Sequence, residues 1–354
     1  MNPEFSIVTP TFRQLDWLRL CIASVRDQVL SSLLRVEHII QDAGTPGVED
    51  LARELGAEFH RDGQLIFHAK ESGAGVPPAV LQSASDQAAN DSFLTNKFHS
   101  PYKKHDAKSH FRSVSSVRSV VHSSPTAPDQ AHYSLKIFSE KDAGMYDAIN
   151  RGLTRSAGEI CAWLNSDEQY LPDTLSKVAE IFQQQTKLDV LLGDAILLNA
   201  SLEPVCYRRI MVPSLWHTRL AHLHSLSCAM FFRKSCLPAP PLDPQWKVIG
   251  DAVLMDRWLR EGRKIRACGN PLSIYTFTGS NLSAGHLGAQ EHERWLGESG
   301  LRAKWRKPGI VMLHRFRRLM HRAYERFSVS LDYHVPEGRR QWQGRLPGTW
   351  PKSS

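Results

Sequence analysis

No two cysteines in this sequence are spaced as C-x-x-C. The six present, Cys21, Cys161, Cys206, Cys228, Cys236 and Cys268, are scattered. That pattern suits neither a zinc site nor a disulfide framework, so reduced thiols in a cytoplasmic protein are expected. Long hydrophobic runs are missing as well. The most apolar stretch, Leu188 to Leu198, falls short of the ~20 residues that span a bilayer and carries Asp194. The polar start Met1-Asn2-Pro3-Glu4 leads directly into a strand-like run with no signal-peptide pattern. No internal repeat is evident. A net charge of +8 remains, from 44 Lys plus Arg against 36 Asp plus Glu. Nine Lys/Arg and one Glu fall within 302–326, so the rest of the chain sums to zero. The expectation is a near-neutral body with a basic tail.

Hydrophobic periodicity alternates between strand and helix. Phe5-Ser-Ile-Val-Thr9 reads as a buried strand ended by Pro10, and Leu15, Leu18, Ile22 and Val25 recur at helical spacing. Val36 to Ile40 is a second strand, closed by the turn-rich segment 41–47 and followed by a short helix over 48–55. The pattern resumes with a strand at 135–139, a helix at 145–155, a strand at 159–164, a helix at 172–185 and a strand at 189–193. This is the grammar of a mostly parallel α/β sheet flanked by helices. Between about 63 and 134 there is no sustained periodicity, and a disordered insertion is expected there. Its histidines His99, His105, His110, His122 and His132 are irregularly spaced and read as a solvated loop, not a metal cluster.

Three segments carry chemistry. In Trp163-Leu-Asn-Ser-Asp-Glu168, an amide and two acids directly follow a buried strand. Ligands of open parallel sheets bind beyond the carboxyl ends of strands, and a hard divalent cation needs only one or two protein carboxylates beside substrate phosphates. Asp167 suits that task, although on this segment alone a cap of the following helix by Asp167 or Asp173 is the plainer reading. In Ser139 to Gly152, polar residues crowd a strand end before a helix whose N-terminus, with Lys141 or Arg151, could take an anion. A well-capped surface helix is the plainer alternative. Thr9-Pro10-Thr11 and Gln41-Asp42-Ala43-Gly44 end strands at the same edge, where Asp42 could bind a ribose or a base, or simply form an Asx turn.

Together and in order, these segments resemble the glycosyltransferase family 2 enzymes of GT-A, Rossmann-like fold. The match lies in Ser-Ile-Val-Thr-Pro-Thr, the Asp-Ala-Gly-Thr turn, Ser-Glu-Lys-Asp-Ala-Gly-Met-Tyr-Asp-Ala-Ile-Asn-Arg-Gly and Leu-Asn-Ser-Asp-Glu, and it covers about 5–60 and 135–285. The resemblance implies sugar transfer from a nucleotide diphosphate sugar, UDP-linked as first candidate, to a hydroxyl acceptor with inversion. It implies that Thr9, Pro10, Thr11, Asp42 and Asp142 serve the nucleotide, with Arg151, Asn165 and Ser166 on the donor side. Asn165, Ser166 and Asp167 fall on the family's D-x-D, so Asp167 would hold Mn²⁺ or Mg²⁺. Asp251 matches the base that deprotonates the acceptor, with an N-cap of the following helix as its alternative, and His224 matches an acceptor-site histidine. The first D-x-D acid is Asn165 here, and the insertion has no counterpart in relatives. Two other readings stand beside this one. The first is an inactive nucleotide-sugar-binding scaffold or regulator; the second is a nucleotidyltransferase, against which the absence of a Gly-rich, Lys-bearing phosphate loop counts.

The expected organisation is 1–62 and 135–290 as two parts of one GT-A domain, 63–134 as the insertion, and 291–354 as a basic amphipathic helical tail. Within that tail, 302–326 with Trp305, Phe316 and Phe327 suits an anionic membrane surface better than nucleic acid, and a solvated face packed on the domain is the bland alternative. The resemblance favours a protein peripheral on the cytoplasmic face of a membrane, using lipid-linked glycan acceptors in cell-surface polysaccharide or glycolipid assembly.

Overall fold

A computed structural model describes residues 4–30, 34–69, 132–279, 281, 286–298 and 304–349. The chain begins with β1 (Phe5–Thr11), α1 (Leu15–Leu30), β2 (Val36–Asp42), α2 (Val48–Leu55), β3 (Glu58–Arg61) and β4 (Gln64–Phe67). Residues 70–131 lie outside the described set, and with them the expected insertion and the histidines His99, His105, His110 and His122. Next come β5 (Tyr133–Ser139), α3 (Met145–Arg155), β6 (Ile160–Trp163), β7 (Glu168–Tyr170), α4 (Thr174–Gln184) and β8 (Val190–Leu198). The later half comprises β9 (Pro204–Arg208), α5 (Leu215–Leu220), β10 (Met230–Arg233), α6 (Gly250–Arg260), β11 (Ile265–Thr276) and α7 (Leu287–Glu298). Last are α8 (Lys307–Met320), β12 (Arg326–Val335) and β13 (Gly338–Pro347).

One mixed sheet runs in the order β4-β3-β5-β2-β1-β6-β10-β8-β11-β7, with β9 on β8. The run β3-β5-β2-β1-β6 is entirely parallel. After β1 the chain moves to β2 on one side and later to β6 on the other, so the topological switch point lies between β1 and β6. Pro10 does not end β1. The Val8 carbonyl oxygen accepts from Leu164 N–H at 2.9 Å, so Val8 and Pro10 turn their backbones toward β6, whose last residue is Trp163. The N–H that proline lacks therefore costs no ladder bond.

Alternation along β1 sorts the core into two layers. Phe5 and Ile7 pack with Cys21 and Val25 of α1 and Leu175 and Val178 of α4. Val8 faces the other way, onto Ile149 and Leu153 of α3 and Leu254, Met255 and Trp258 of α6. The strand register is fixed at the opposite edge from the site. Glu37 on β2, 4% exposed, accepts from Ser6 Oγ (2.7 Å), Ala157 N (3.0 Å) and Lys136 Nζ (3.0 Å).

Sequence periodicity and structure part in three further places. The hairpin β3–β4 carries order to Phe67, past the expected boundary at 62. The strand expected to end at Gly193 continues to Leu198, because this glycine sits beneath Leu272 of β11, whose Cδ1 would lie 2.5 Å from an added Cβ. The helical tail expected over 291–354 ends at Met320. Phe327, read as the last member of a helical stripe, begins the period-two series Phe327, Val329, Leu331, Tyr333 and Val335 on β12, and β12 pairs with β13. Tyr333 and Leu331 pack with Leu198 and Tyr207 in a satellite core.

Helix α3 lies so close to β1 that a Cβ on Gly152 would fall 2.3 Å from Val8 Cγ1. Gly152→Ala should therefore lower stability by about 1–3 kcal/mol through overpacking, read as a reduced urea midpoint with an unchanged m-value.

Candidate functional site

The parallel strands deliver their C-terminal loops to one cavity of about 1580 Å³. Pro10 and Thr11 follow from β1, Ala43 and Gly44 from β2, Glu140 and Asp142 from β5, and Asn165, Ser166 and Asp167 from β6. Tyr146 of α3 and Asp251 of α6 complete this end. The two loops beside the switch point are tied together, since Ser166 Oγ donates to Gln14 Oε1.

Asp167 sits one residue before β7, so α4 begins too far along the chain for Asp167 to cap it. Asp173 occupies the cap position and makes no side-chain cap bond. Asp167 Oδ2 instead accepts from Asn281 Nδ2 at 3.2 Å. Burial pushes its carboxyl up to about 6. The neighbouring Glu168, 1% exposed, is raised further by burial and by the charge of Asp167. Glu168 Oε2 accepts from Asn165 N at 2.8 Å, but Oε1 has no partner, and neither do Asn165 Oδ1 or Thr11 Oγ1. Buried polar atoms are normally satisfied, so these orphaned oxygens mark a place where an electropositive group belongs. The donor set is all oxygen with one or two acids, which fits a hard divalent cation completed by substrate phosphates and water. Among the described residues no group of three or more His, Cys, Asp or Glu forms a self-sufficient metal site.

Asp251 is the second residue of α6. Its hydrogen bonds fall on one oxygen: Oδ1 accepts from Ala252 N at 2.8 Å and lies 3.4 Å from the Tyr146 hydroxyl, which itself donates to the Val248 carbonyl at 2.8 Å. Burial raises this carboxyl to about 6. Gly250 permits the contact, since an added Cβ would stand 2.7 Å from the Tyr146 ring. From α7, Glu291 accepts from Lys247 N (2.7 Å) and Val248 N (2.9 Å), fixing the segment before Asp251.

Of the residues singled out in the sequence, Pro10, Thr11, Asp142, Asn165, Ser166, Asp167 and Asp251 line this cavity; Thr9, Asp42, Arg151 and His224 do not. Thr9 is fully buried on the α1 side, with Oγ1 2.9 Å from His38 Nε2 and 3.6 Å from Cys21 Sγ. Asp42 is spent within its own turn, accepting from Gly44 N (2.9 Å), Thr45 N (3.0 Å) and Ser139 Oγ (2.7 Å). That is the Asx alternative. Asp142 accepts from Gly144 N at 2.9 Å, and burial followed by the nearby Asp147 raises its carboxyl. Asp147 Oδ2 accepts from Ala143 N at 2.9 Å, so these two acids occupy the helix N-terminus expected to bind an anion. Arg151 is drawn to Asp147 (2.9 Å) and Glu140 (3.5 Å), while Lys141 does reach the cavity. His224 lies behind the cavity wall, with Nδ1 accepting from Arg208 Nη2 at 2.9 Å.

Tyr146, Gln14 and Asn281 escaped sequence reasoning. Tyr146 stood inside a quoted motif without a role, and Asn281 follows β11, which only the sheet order brings beside Asp167.

Residues 130–233 match the family model described as glycosyl transferase family 2. That segment carries α3, β6, the Asn165–Asp167 loop, β8 and β10. An uncharacterised glycosyltransferase of Nostoc sp. (strain PCC 7120) is 22% identical over 182 residues, 49% of this chain and 56% of the relative. A PGL/p-HBAD biosynthesis glycosyltransferase of Mycobacterium bovis is 34% identical over 68 residues, 19% of this chain and 27% of the relative. The chain thus spans about half of the first relative's length and about a quarter of the second's. Among solved structures, S. aureus TarS 1-349 with UDP aligns with TM-score 0.44 at 12% identity, over 78% of this chain and 61% of that one. The mannosyltransferase PcManGT from Pyrobaculum calidifontis with GDP-Man and Mn²⁺ aligns with TM-score 0.48 at 10% identity, over 84% and 64%. Among the described residues, no helix is long and apolar enough to cross a membrane.

The raised carboxyl of Asp251 has a consequence for stability. A folded value near 6 against 3.8 in the unfolded chain means that both states hold the proton below about pH 4. As pH rises to 6 and beyond, the folded state must carry a desolvated charge that the unfolded state carries in water, and stability is lost across that window. Asp251→Asn keeps an oxygen for Ala252 N and removes the charge. It should stabilise the fold by about 1–3 kcal/mol at pH 8 and by much less at pH 4.5, measured by urea unfolding at both values.

Proposed function

We propose that this chain, related through residues 130–233 to glycosyltransferases of family 2, transfers a sugar from a nucleoside diphosphate sugar to a hydroxyl acceptor with inversion. The observation that carries the proposal is the meeting of Asp167, Asn165 and Asp251 in one cavity at the switch point of a parallel sheet. Thr11 and Asp142 line the nucleotide side. Asp167 and the orphaned Asn165 Oδ1 would hold a Mn²⁺ or Mg²⁺ ion. When bound, that ion supplies positive charge against the diphosphate.

The chain's own residues do the rest. The unencumbered oxygen of Asp251 accepts the proton of the acceptor hydroxyl while the hydroxyl oxygen forms its bond to the anomeric carbon. The bond from that carbon to the diphosphate oxygen breaks on the opposite face, and the nucleoside diphosphate leaves with the electron pair. The Ala252 N–H holds the other oxygen of Asp251 in place, with the Tyr146 hydroxyl 3.4 Å from it. A carboxyl raised to about 6 is ionised at neutral pH yet more basic than an ordinary aspartate.

The same reading places the protein on an anionic membrane face, in cell-surface polysaccharide or glycolipid assembly. Met312, Leu313, Phe316, Leu319 and Met320 of α8, with Trp305 before it, are all more than half exposed. Only His314 of α8 is buried, so the stripe is not packed on the domain. The exposed Arg306 and Arg315 accompany it, and no acid occurs between Lys304 and Arg322. Apolar side chains beside unopposed cations fit an anionic lipid surface.

Thermal-shift titration with UDP, GDP, dTDP and CDP, each with and without Mn²⁺, tests the donor site. One nucleotide should raise the melting temperature in a metal-dependent way, and Asp167→Ala should abolish the shift. Asp251→Asn should retain it while turnover falls by at least about a hundredfold. Binding without turnover in either protein would turn the reading to a scaffold. For the membrane face, vesicles of phosphatidylglycerol should sediment the wild type. Leu313→Ser/Phe316→Ser should bind at least about tenfold more weakly.

A further inference from the structure

The cavity has a second pole, made by the later half of the chain. His222 and Ser225 follow α5, His292 comes from α7 and Lys307 opens α8, and all four line the cavity. Behind them stand Arg208 at the end of β9 and Arg318 of α8, which act on the same cluster of imidazoles. The rings of His217 and His314 stack at 3.6 Å between centroids, with His222 and His224 each 4.8 Å from one of them. Burial, reinforced by neighbouring cations and imidazoles, holds His217 down to about 4 and His314 to about 3. The rings are therefore neutral near pH 7 and can donate N–H groups without adding charge.

The cations are a different matter. Among the described residues, Arg208, Lys307 and Arg318 form no ion pair with any carboxylate. Arg208 is half-buried, and burial with Arg318 nearby brings it down to about 10, still charged at pH 7. Partly buried charge is ordinarily paired. Polar atoms also stand idle here: Ser225 is 5% exposed with no partner for Oγ, and His292 Nε2, His314 Nε2 and Arg318 Nε are unpartnered. Glu293, exposed and with an interaction of its own, is the acid of α7 that shares the cavity rim. The volume of about 1580 Å³ exceeds the roughly 300–1,000 Å³ of a single small-molecule pocket, so two ligands fit.

We propose that this wall is a second anion site that holds a phosphate group of the acceptor, while the carboxylate pole takes the donor and its metal. The assignment to the acceptor rests on the transferase reading. Lys307 on the wall, with the charges of Arg208 and Arg318 behind it and idle hydroxyl and imidazole groups beside it, suits a phosphate better than a single carboxylate. Elements after β8 build this pole, whereas the loops of β1, β2, β5 and β6, joined by Asp251 of α6, build the other.

Isothermal titration of the full chain with inorganic phosphate, without divalent metal, tests the site. The wild type and Asp167→Asn should bind phosphate alike. Lys307→Ala/His292→Gln should bind at least about tenfold more weakly, with its affinity for the nucleoside diphosphate and Mn²⁺ unchanged, which also shows that it folds. Ser225→Ala should weaken phosphate without moving the melting temperature. Unchanged phosphate affinity in the double variant, or its loss in Asp167→Asn, overturns the proposal. Glycerol phosphate and phosphatidic acid in detergent micelles, used as competitors, separate a soluble phosphate ester from a lipid headgroup. Displacement by either supports an acceptor phosphate, and displacement by neither overturns it. Phosphate binding through Lys307 and His292 with no nucleoside diphosphate binding would remove the transferase reading and leave the anion site standing. The converse would do the opposite.

Discussion

The Glu37 carboxylate is the constraint on which the arrangement depends. It sits inside the sheet with donors from β1, β5 and the turn between α3 and β6, and Ser6 Oγ in turn accepts from Gly158 N at 2.8 Å. A buried carboxylate is tolerated when its lone pairs are filled, and removing one donor leaves the rest of the charge to be borne by the core. The three parallel strands and the turn into β6 that meet here cannot slide by a residue without breaking that set. Their far ends therefore stop in step, and the loops carrying Thr11, Gly44, Asp142 and Asp167 open onto one cavity.

The cavity is electrically divided. Asp167, Glu168 and Asp251 concentrate acids at one pole, where burial holds each carboxyl above its ordinary value. Lys307, with Arg208 and Arg318 behind the wall, marks the other. Each pole carries an uncompensated cost in the free protein, and each is relieved by charge of the opposite sign. The loops of the parallel strands supply most of the acidic pole and elements after β8 the cationic one, while α6, which brings Asp251 to the acidic side, is tied to α7 through Glu291 and the segment 247–249.

The helices and inner strands of the parallel half were legible because their signals are local. The spacing of Leu15, Leu18, Ile22 and Val25 marks α1, and Met145 to Arg155 matches α3. The antiparallel additions were not. β7 has three residues, too few for a period, and β8 was cut short at Gly193 because a glycine that serves close packing looks like a break. The site was legible where a strand end and a polar loop coincide, as at Asn165–Asp167. Asp42 and Thr9 have the right position in sequence, yet one is consumed by its turn and the other faces α1, and sequence does not give the direction of a side chain. Tyr146, Asn281 and Lys307 reach the cavity only through the sheet order and the path of the later helices.

The hairpin β12–β13 does more than extend the core. His334 exchanges two hydrogen bonds with the side chain of Gln169, at 3.0 and 2.9 Å, and its ring lies 2.8 Å from Asp27 of α1. Gln169 belongs to β7, two residues beyond Asp167. The strand beside the acidic loop is thus fastened by a part of the chain synthesised 165 residues later. On a ribosome, the sheet core is complete long before that fastening exists. The strand that follows the acidic loop therefore gains this fastening only after His334 has emerged, well after the loop itself has been made.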